Sequence, residues 1–346
     1  MFNQADRKLM TVQFLNMPMF LLRFTLLLLC TGCQNKSRID IDVSDINIPE
    51  ITIHRYDLDL FAIRPDQFQS DLNTLRLRYP FFLNTDPSDT SGWEKLRLYI
   101  QNPRNQEFIA AVREKYTDVS SLEKDFAETF RHLRYYFPEW KIPDVYAYIS
   151  GGDYDYPVQS VDSILLIGLD NYLGNEYQPY VEDGLPLYRI ARMTTDQIIP
   201  DCIMLISKIM FPVQLPGNTL LDHMIEAGKR LWFMEAMIPD VSDRLMIGYS
   251  EPQYRWITSN EKHVWAAMME HQMLYASDGR TLRTFMADGP FTPEFSEESP
   301  PRLGEWIGWQ IVRAYMEKNR EISVTHFMKE TDAQMILSRS RYKPGK

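Results

Sequence analysis

Cysteine is almost absent from this chain of 346 residues: Cys30, Cys33 and Cys202 are the only three. A fold stapled by several disulfides is excluded, so stability must come from an apolar core. Basic charge is also short, with 37 Lys+Arg against 47 Asp+Glu and a net charge of −10. That balance argues against nucleic acid, whose affinity comes from neutralised phosphates, and against electrostatic docking on anionic lipid. The apolar stretch Phe24–Cys30 is too short to span a bilayer, which takes about 20 apolar residues, and no other stretch is long enough. No glycine-rich phosphate loop, no G-x-S-x-G elbow and no Cys/His dyad occurs. The 6 histidines are His54, His132, His223, His263, His271 and His326. No two stand four apart, so the H-E-x-x-H zinc-binding helix is missing as well.

What is present starts with Cys33, at the end of the run LLLLCTGC. Arg7, Lys8 and Arg23 precede a short apolar core, and the small residues Thr31 and Gly32 precede the cysteine. This is the pattern of a secretory signal with a cleavage site. The segment resembles a bacterial lipobox, in which the cysteine sulfur receives a diacylglycerol and the signal is cut before it. Cys30 occupies the position where Leu is commoner, and the late start of the apolar core makes Met10 or Met17 candidate initiators. The expected organisation is a signal peptide at 1–32, the lipidated Cys33 with a polar tether to residue 49, and one domain over 50–346. Acyl chains then supply the membrane contact.

The domain reads as α+β and rich in helix, with a small central sheet. Alternation in ITIHRYDLDLFA (50–61) predicts a first strand; VYAYIS (145–150) and VDSILLIGL (161–169) predict two more. A helix is expected near 65–80, and the loop NTDPSDTSG at 84–92 is the best candidate break. Helices follow at 104–117 and 121–137, the second with a capping box in Ser120-Ser121-Leu122-Glu123. Further helices are expected near 194–211, 218–238, 259–275, 278–287, 301–319, 323–330 and 332–339. Aromatics at 13% and 18 Met fit a substantial core. Cys202, inside CIMLISKIM, reads as a buried structural thiol.

From residue 161 the layout looks like that of a zinc peptidase: a strand, a metal-binding helix, then a second helix with a third ligand. The first helix instead carries Pro200-Asp201 where a His-Glu pair would stand. On the second, His223, Glu226 and Arg230 share one face. They form either a solvated face with a Glu226–Arg230 pair or, with His263, an atypical metal site. Glu235 lies at the edge of the apolar stripe and needs a partner such as Arg302 or Arg313. Gly304 and Gly308, four apart, predict close helix–helix packing. Trp306 and Trp309, in the 288–310 loop and helix, are the best candidates for contact with a partner.

The runs LLIGLDNYLG (165–174), HMIEAGKRLWFMEAMIPD (223–240), MIGYSEPQYRWITSNEKHVW (246–265), DGPFTPEFSEESPPRLGEWIGWQIVRAYM (288–316) and ILSRSRYKP (336–344) carry a more specific likeness. Over nearly the whole mature chain the sequence resembles the gliding motility lipoprotein B (GldB) family of the Bacteroidetes. That family in turn resembles zinc peptidases whose second motif sets a Glu directly before a Gly. Here Glu226-Ala227-Gly228 displaces the carboxylate by one residue, about 100° around the helix. The resemblance implies a zincin-like scaffold that has lost its catalysis, with no cofactor and no catalytic residue. It also implies a lipid-anchored envelope protein acting through partners of the gliding machinery. Gln34, where inner-membrane retention favours Asp, points to the outer membrane, and QNKSR lacks the acidic cluster of surface export, so the domain should face the periplasm. The alternatives are a metallohydrolase with an atypical site and a peptidoglycan or glycan binder built on the aromatic segment 135–156.

Overall fold

The computed structural model describes residues 38–84 and 90–345. Cys33, the signal segment 1–32 and the first part of the tether lie outside the described residues, as does most of the 84–92 loop. The chain divides into two compact units, Met1–Asp40 and Ile41–Lys346. All of the described secondary structure falls in the second.

The architecture is α+β, with many helices around one small sheet. Strands β1 (Ile53–Arg55), β2 (Asp144–Tyr148), β3 (Val158–Val161) and β4 (Ile164–Gly168) lie in the order β1-β2-β4-β3. β1 and β2 run parallel, as do β2 and β4. β3 turns back antiparallel to β4 through a hairpin at Asp162-Ser163, where Asp162 takes φ 54°. All five residues of β4 are buried, as an unbroken apolar run requires when both sheet faces are covered. β2 alternates, with Val145 and Ala147 inside. One expected strand is thus two: Val161 ends β3 and only 164–168 continue as β4.

The predicted first strand also divides. Only Ile53–Arg55 is extended, and Tyr56–Leu60 is a helical turn. The alternation of Tyr56, Leu58 and Leu60 hid an i, i+4 pair. Tyr56 and Leu60 are buried, while Leu58 is not.

The main helices are α1 (Phe68–Arg78), α2 (Thr90–Gln101), α3 (Pro103–Lys115), α4 (Ser120–Tyr136), α5 (Ile198–Met210), α6 (Leu220–Met237), α7 (Glu251–Glu270), α8 (Gly279–Met286), α9 (Leu303–Lys318) and α10 (Ala333–Ser340). α2 begins inside the predicted 84–92 break. α4 buries Phe126, Phe130 and Leu133, as its spacing implies. Its expected capping box does not form. Asp118 accepts from the Ser120 N–H and hydroxyl instead, and Glu123 accepts from the Ile53 N–H at 2.9 Å, pinning β1 to the helix.

α6 is the hub. It opens on a capping box between Thr219 and Asp222, and it is apolar or committed on nearly every side. α9 crosses it so closely that a Cβ at Gly308 would sit 1.8 Å from the Met224 carbonyl oxygen, and one at Gly228 would sit 2.4 Å from the Gly308 carbonyl oxygen. The close packing read from Gly304 and Gly308 is therefore real, with Gly228 as the facing partner. Beside the crossing, Glu235 accepts from Trp309 Nε1 at 2.9 Å and from Arg313 Nε at 2.7 Å. Arg313 also holds both Asp243 oxygens at 2.6 Å and lies 3.9 Å over the Trp309 ring. Arg313, rather than Arg302, is the partner that Glu235 needed. Burial pushes the Glu235 carboxyl up, and Arg313 and Trp309 oppose the shift.

The loop before α9 is tied rather than open. The Thr292 N–H donates to Ser299 Oγ and the Thr292 hydroxyl to the Pro300 carbonyl. Tyr249 OH reaches the Pro301 carbonyl at 2.7 Å. Arg302, at φ 55°, turns its guanidinium inward to the Ile247 carbonyl at 2.6 Å.

Candidate functional site

β4 runs directly into the turn Leu169–Asn171, and Asp170 there is fully buried. Its carboxylate accepts from the Ser150 N–H, the Ser150 hydroxyl and the Gly152 N–H. This network folds the loop after β2 back across the strand ends. Gly151 and Gly152 take φ +75° and +83°, which glycine alone adopts cheaply. Burial raises the Asp170 pKa, and the Ser150 and Gly152 donors oppose it. The same turn fixes Asn171 and Tyr172.

The first turn of α5 comes up to this point. Pro200 is tolerated there because the first N–H groups of a helix have no intrahelical partner. Asp201 accepts from Tyr172 OH at 2.8 Å. Burial pushes its carboxyl up, and Arg192 pulls the other way. Between the start of β3 and α5 lies a cleft of about 700 Å³. Tyr156, Pro157 and Val158 form one wall, and Met204, Leu205 and Lys208 belong to the other. Of the Pro200-Asp201 pair, Asp201 borders this cleft and Pro200 lines the second cavity, on the other side of α5.

Its charged groups are mostly committed. Arg189 pairs with Asp155 at 3.0 Å. Asp288 is shared between Arg192 at 3.5 Å and Arg302 at 3.2 Å. Lys208 is exposed and makes no ion pair among the described residues. Asn171, 2% exposed, donates through Nδ2 to Ser150 Oγ at 3.0 Å, while its Oδ1 is buried without a partner. A buried amide oxygen left unpaired is costly. The described lining carries no Ser, Thr, Cys or His. What it offers is hydrogen bonding and one free cation.

A second cavity of about 620 Å³ lies behind α5, between α4 and the end of α6. Asp118, Asp125, Glu128, Asp196 and Asp240 border it, with Lys115 as the one cation of its described lining. Burial raises the Asp125 pKa, and the nearby Asp196 adds to the shift. His132, 3% exposed, has an unpartnered Nδ1 and faces the charges of Glu128 and Asp240. Burial lowers its pKa from the ordinary 6.5, against the pull of the two carboxylates. The folded state thus binds the His132 proton less readily than the unfolded chain. Stability present above about pH 6.5 is lost as the pH falls below it. The urea midpoint is expected to drop between pH 7 and 5, and the drop should shrink in His132→Leu. An equal slope in both proteins would count against this assignment.

The residues singled out from sequence are not brought together. His223 Nε2 meets Asn218 Oδ1 at 2.9 Å. Glu226 faces Arg230 at 2.6 Å and Lys229 at 3.3 Å. The Glu226–Arg230 pair exists, but it is part-buried rather than solvated, with Arg230 and Lys229 buried and tied to the Phe211 and Glu330 carbonyls. Burial lowers the Lys229 pKa, and Glu226 opposes it. His263 is exposed, edge-on to Phe295 at 6.1 Å. Among the described residues no three His, Cys, Asp or Glu side chains converge as a metal-binding group. Trp306 and Trp309 are 3% and 0% exposed. Their indole N–H groups are spent on Glu261 and Glu235, so the partner contact expected of them gives way to a core role. Cys202 is a free, fully buried thiol whose pKa burial drives up, as its apolar run implied. Cys33 lies outside the described residues. Asn171, Tyr172 and the edge of β3 went unnoticed in sequence; the polar Asp170-Asn171 pair closing an apolar run was the available signal.

No helix among the described residues is long and apolar enough to cross a membrane. Neither the curated proteins nor the solved structures contain a match. The family model described as Gliding motility protein GldB matches residues 36–344, which include every run that carried the resemblance. The chain belongs to this family of gliding-motility lipoproteins.

Proposed function

We propose that this protein is a non-catalytic, lipid-anchored lipoprotein of the cell envelope that works by holding protein partners. In this reading Cys33 carries the lipid, Gln34 directs the chain to the outer membrane, and the domain faces the periplasm on a peptidase-like scaffold without its catalysis. One observation supports it most. The cleft beside α5 is bordered by a Tyr172-bound Asp201, with Asn171 and the exposed Lys208 also in its lining. Such walls can hold a ligand by hydrogen bonds and charge.

The test uses the full chain in cells. A photo-crosslinking residue replaces Tyr156, which is 63% exposed at the cleft. Defined protein adducts in the membrane fraction are expected, lost to the soluble fraction in Cys33→Ser. Stoichiometric zinc in the purified chain by elemental mass spectrometry, together with cleavage of a peptide pool, would replace this reading with a hydrolase. Adducts confined to cell-wall glycan would replace it with a glycan binder.

A further inference from the structure

The turn after α10 lays residues 341–343 against the end of α9. Ala314, Lys318, Arg341, Tyr342 and Lys343 together line an open groove there, with three cations and no carboxylate in the lining. Lys318 Nζ donates to the Ser340 carbonyl, a neutral acceptor that leaves its charge uncancelled. Lys318, Arg341 and Lys343 are exposed and make no ion pair among the described residues. Of the neighbouring carboxylates, Glu317 pairs with Arg320. Glu261 accepts from Tyr342 OH at 2.8 Å and from Trp306 Nε1 at 2.9 Å. Even with Glu261 set against it, the groove keeps a positive surplus. Aromatic residues rim it. Tyr342 meets Trp265 of α7 edge-on, with ring centroids 5.2 Å apart, and Met269, one turn further along α7, is exposed. Tyr275, also exposed, donates its hydroxyl to Gln334 of α10 at 2.8 Å.

We propose that this groove and its aromatic rim rest on the anionic surface of the lipid bilayer, with lipid phosphates held among Lys318, Arg341 and Lys343. The proposal rests on the lipid anchor at Cys33 proposed above. Charge selects the class of ligand. The Arg341 fork matches a phosphate bidentately, and the two lysines add point charges. Tyr and Trp suit a boundary where one end of the ring is apolar and the other wet. The tether selects the source of the phosphate. Val43 is already buried, so the ten residues 34–43 are the longest free leash, about 35 Å at full extension. A domain held that close meets the bilayer at high effective concentration, and a weak patch then suffices. The net charge of −10 opposes docking by the chain as a whole. A local basic groove therefore orients the domain as well as holding it.

The experiment uses the full lipidated chain in vesicles of phosphatidylcholine, alone or with phosphatidylglycerol added. Cys202 is buried and Cys33 carries the lipid, so Ser338→Cys, exposed one turn before Arg341, takes a fluorophore selectively. Lipid spin-labelled at the headgroup is expected to quench this probe in the anionic vesicles and not in the zwitterionic ones. High salt should release it, because the contact joins exposed charges. A probe on Ser121→Cys, exposed at the second cavity, should stay bright in both. Arg341→Gln with Lys343→Gln leaves Lys318 on the Ser340 carbonyl and should keep the melting profile. It should lower the docked-to-undocked ratio about 25-fold, at roughly fivefold per basic residue. Quenching that is equal in the two lipids, equal at the two probes or unmoved by the double variant would overturn the proposal. So would release by inorganic phosphate or a soluble acidic peptide at constant ionic strength, which would assign the groove to a small anion or to a protein. Intact mass spectrometry separates the two readings. A chain without lipid on Cys33 sinks both, whereas a lipidated chain that is not quenched sinks the docking alone.

Discussion

Gly308→Ala is expected to be the most damaging single methyl that can be added to this protein. In most helices the change would help, since alanine is favoured over glycine by about 1 kcal/mol. Here the new Cβ lies 1.8 Å from the Met224 carbonyl oxygen, and the obstacle is helix backbone that cannot rotate away. α6 and α9 must separate, and both bury most of their length. We expect a net loss of about 3 kcal/mol, or roughly 6–12 °C in melting temperature. Gly304→Ala is the control. Its Cβ meets Met286 Sδ at 2.5 Å and the Phe285 carbonyl at 3.0 Å, and a thioether can swing aside. A cost of about 1 kcal/mol is expected there. Thermal melts followed by circular dichroism decide the matter, and equal melting temperatures for the two variants would contradict the backbone-contact account.

Arg313→Met should cost nearly as much for an electrostatic reason. The substitution keeps a long apolar stem over Trp309 but strips the charge that faces Glu235 and Asp243. Their side chains are 16% and 27% exposed. Breaking a buried ion pair from one side leaves uncompensated charge, so a loss of about 3 kcal/mol is expected after allowing for partial exposure. The pH dependence gives an independent check. Without the guanidinium, burial raises the Glu235 carboxyl with nothing of Arg313 to oppose it, so the native state binds this proton more readily than the unfolded chain. Stability of the variant then rises as the pH falls from 7 towards 5. Adding Glu235→Gln and Asp243→Asn to Arg313→Met should restore much of the loss. A triple variant no more stable than Arg313→Met would show that stacking on Trp309, rather than charge, holds this corner.

Local patterns were legible where one periodicity dominates. The α4 stripe of Phe126, Phe130 and Leu133, the apolar run of β4 and the paired glycines of α9 each force a single packing choice. The segment 50–61 was misread because its alternation also fits an i, i+4 pair, and the Arg55–Asp57 ion pair at 2.7 Å sits where strand turns to helix. Trp306 and Trp309 were misplaced for a different reason. A helix covered on several sides buries residues on several faces, and sequence spacing assumes one buried face. Glu226 was placed correctly against Arg230, but its burial depends on Phe211 and Glu330, which come from distant parts of the chain.

The sequence by itself determined the family through its distinctive runs, the helix-rich class, and the absence of an H-E-x-x-H pattern, and its cysteine motif supplied the expectation of an envelope address. Each is local, written in neighbouring residues or in one helical turn. Only the tertiary structure decided which groups remain available to a ligand. Strand order leaves Val158 and Ser160 at an edge, and the return of α5 sets Asp201 and Lys208 beside it. Whether Asn171 Oδ1 or the Trp309 N–H finds a partner depends on residues tens of positions away. Satisfaction of a buried polar group belongs to the assembled neighbourhood, and no spacing within one element encodes it.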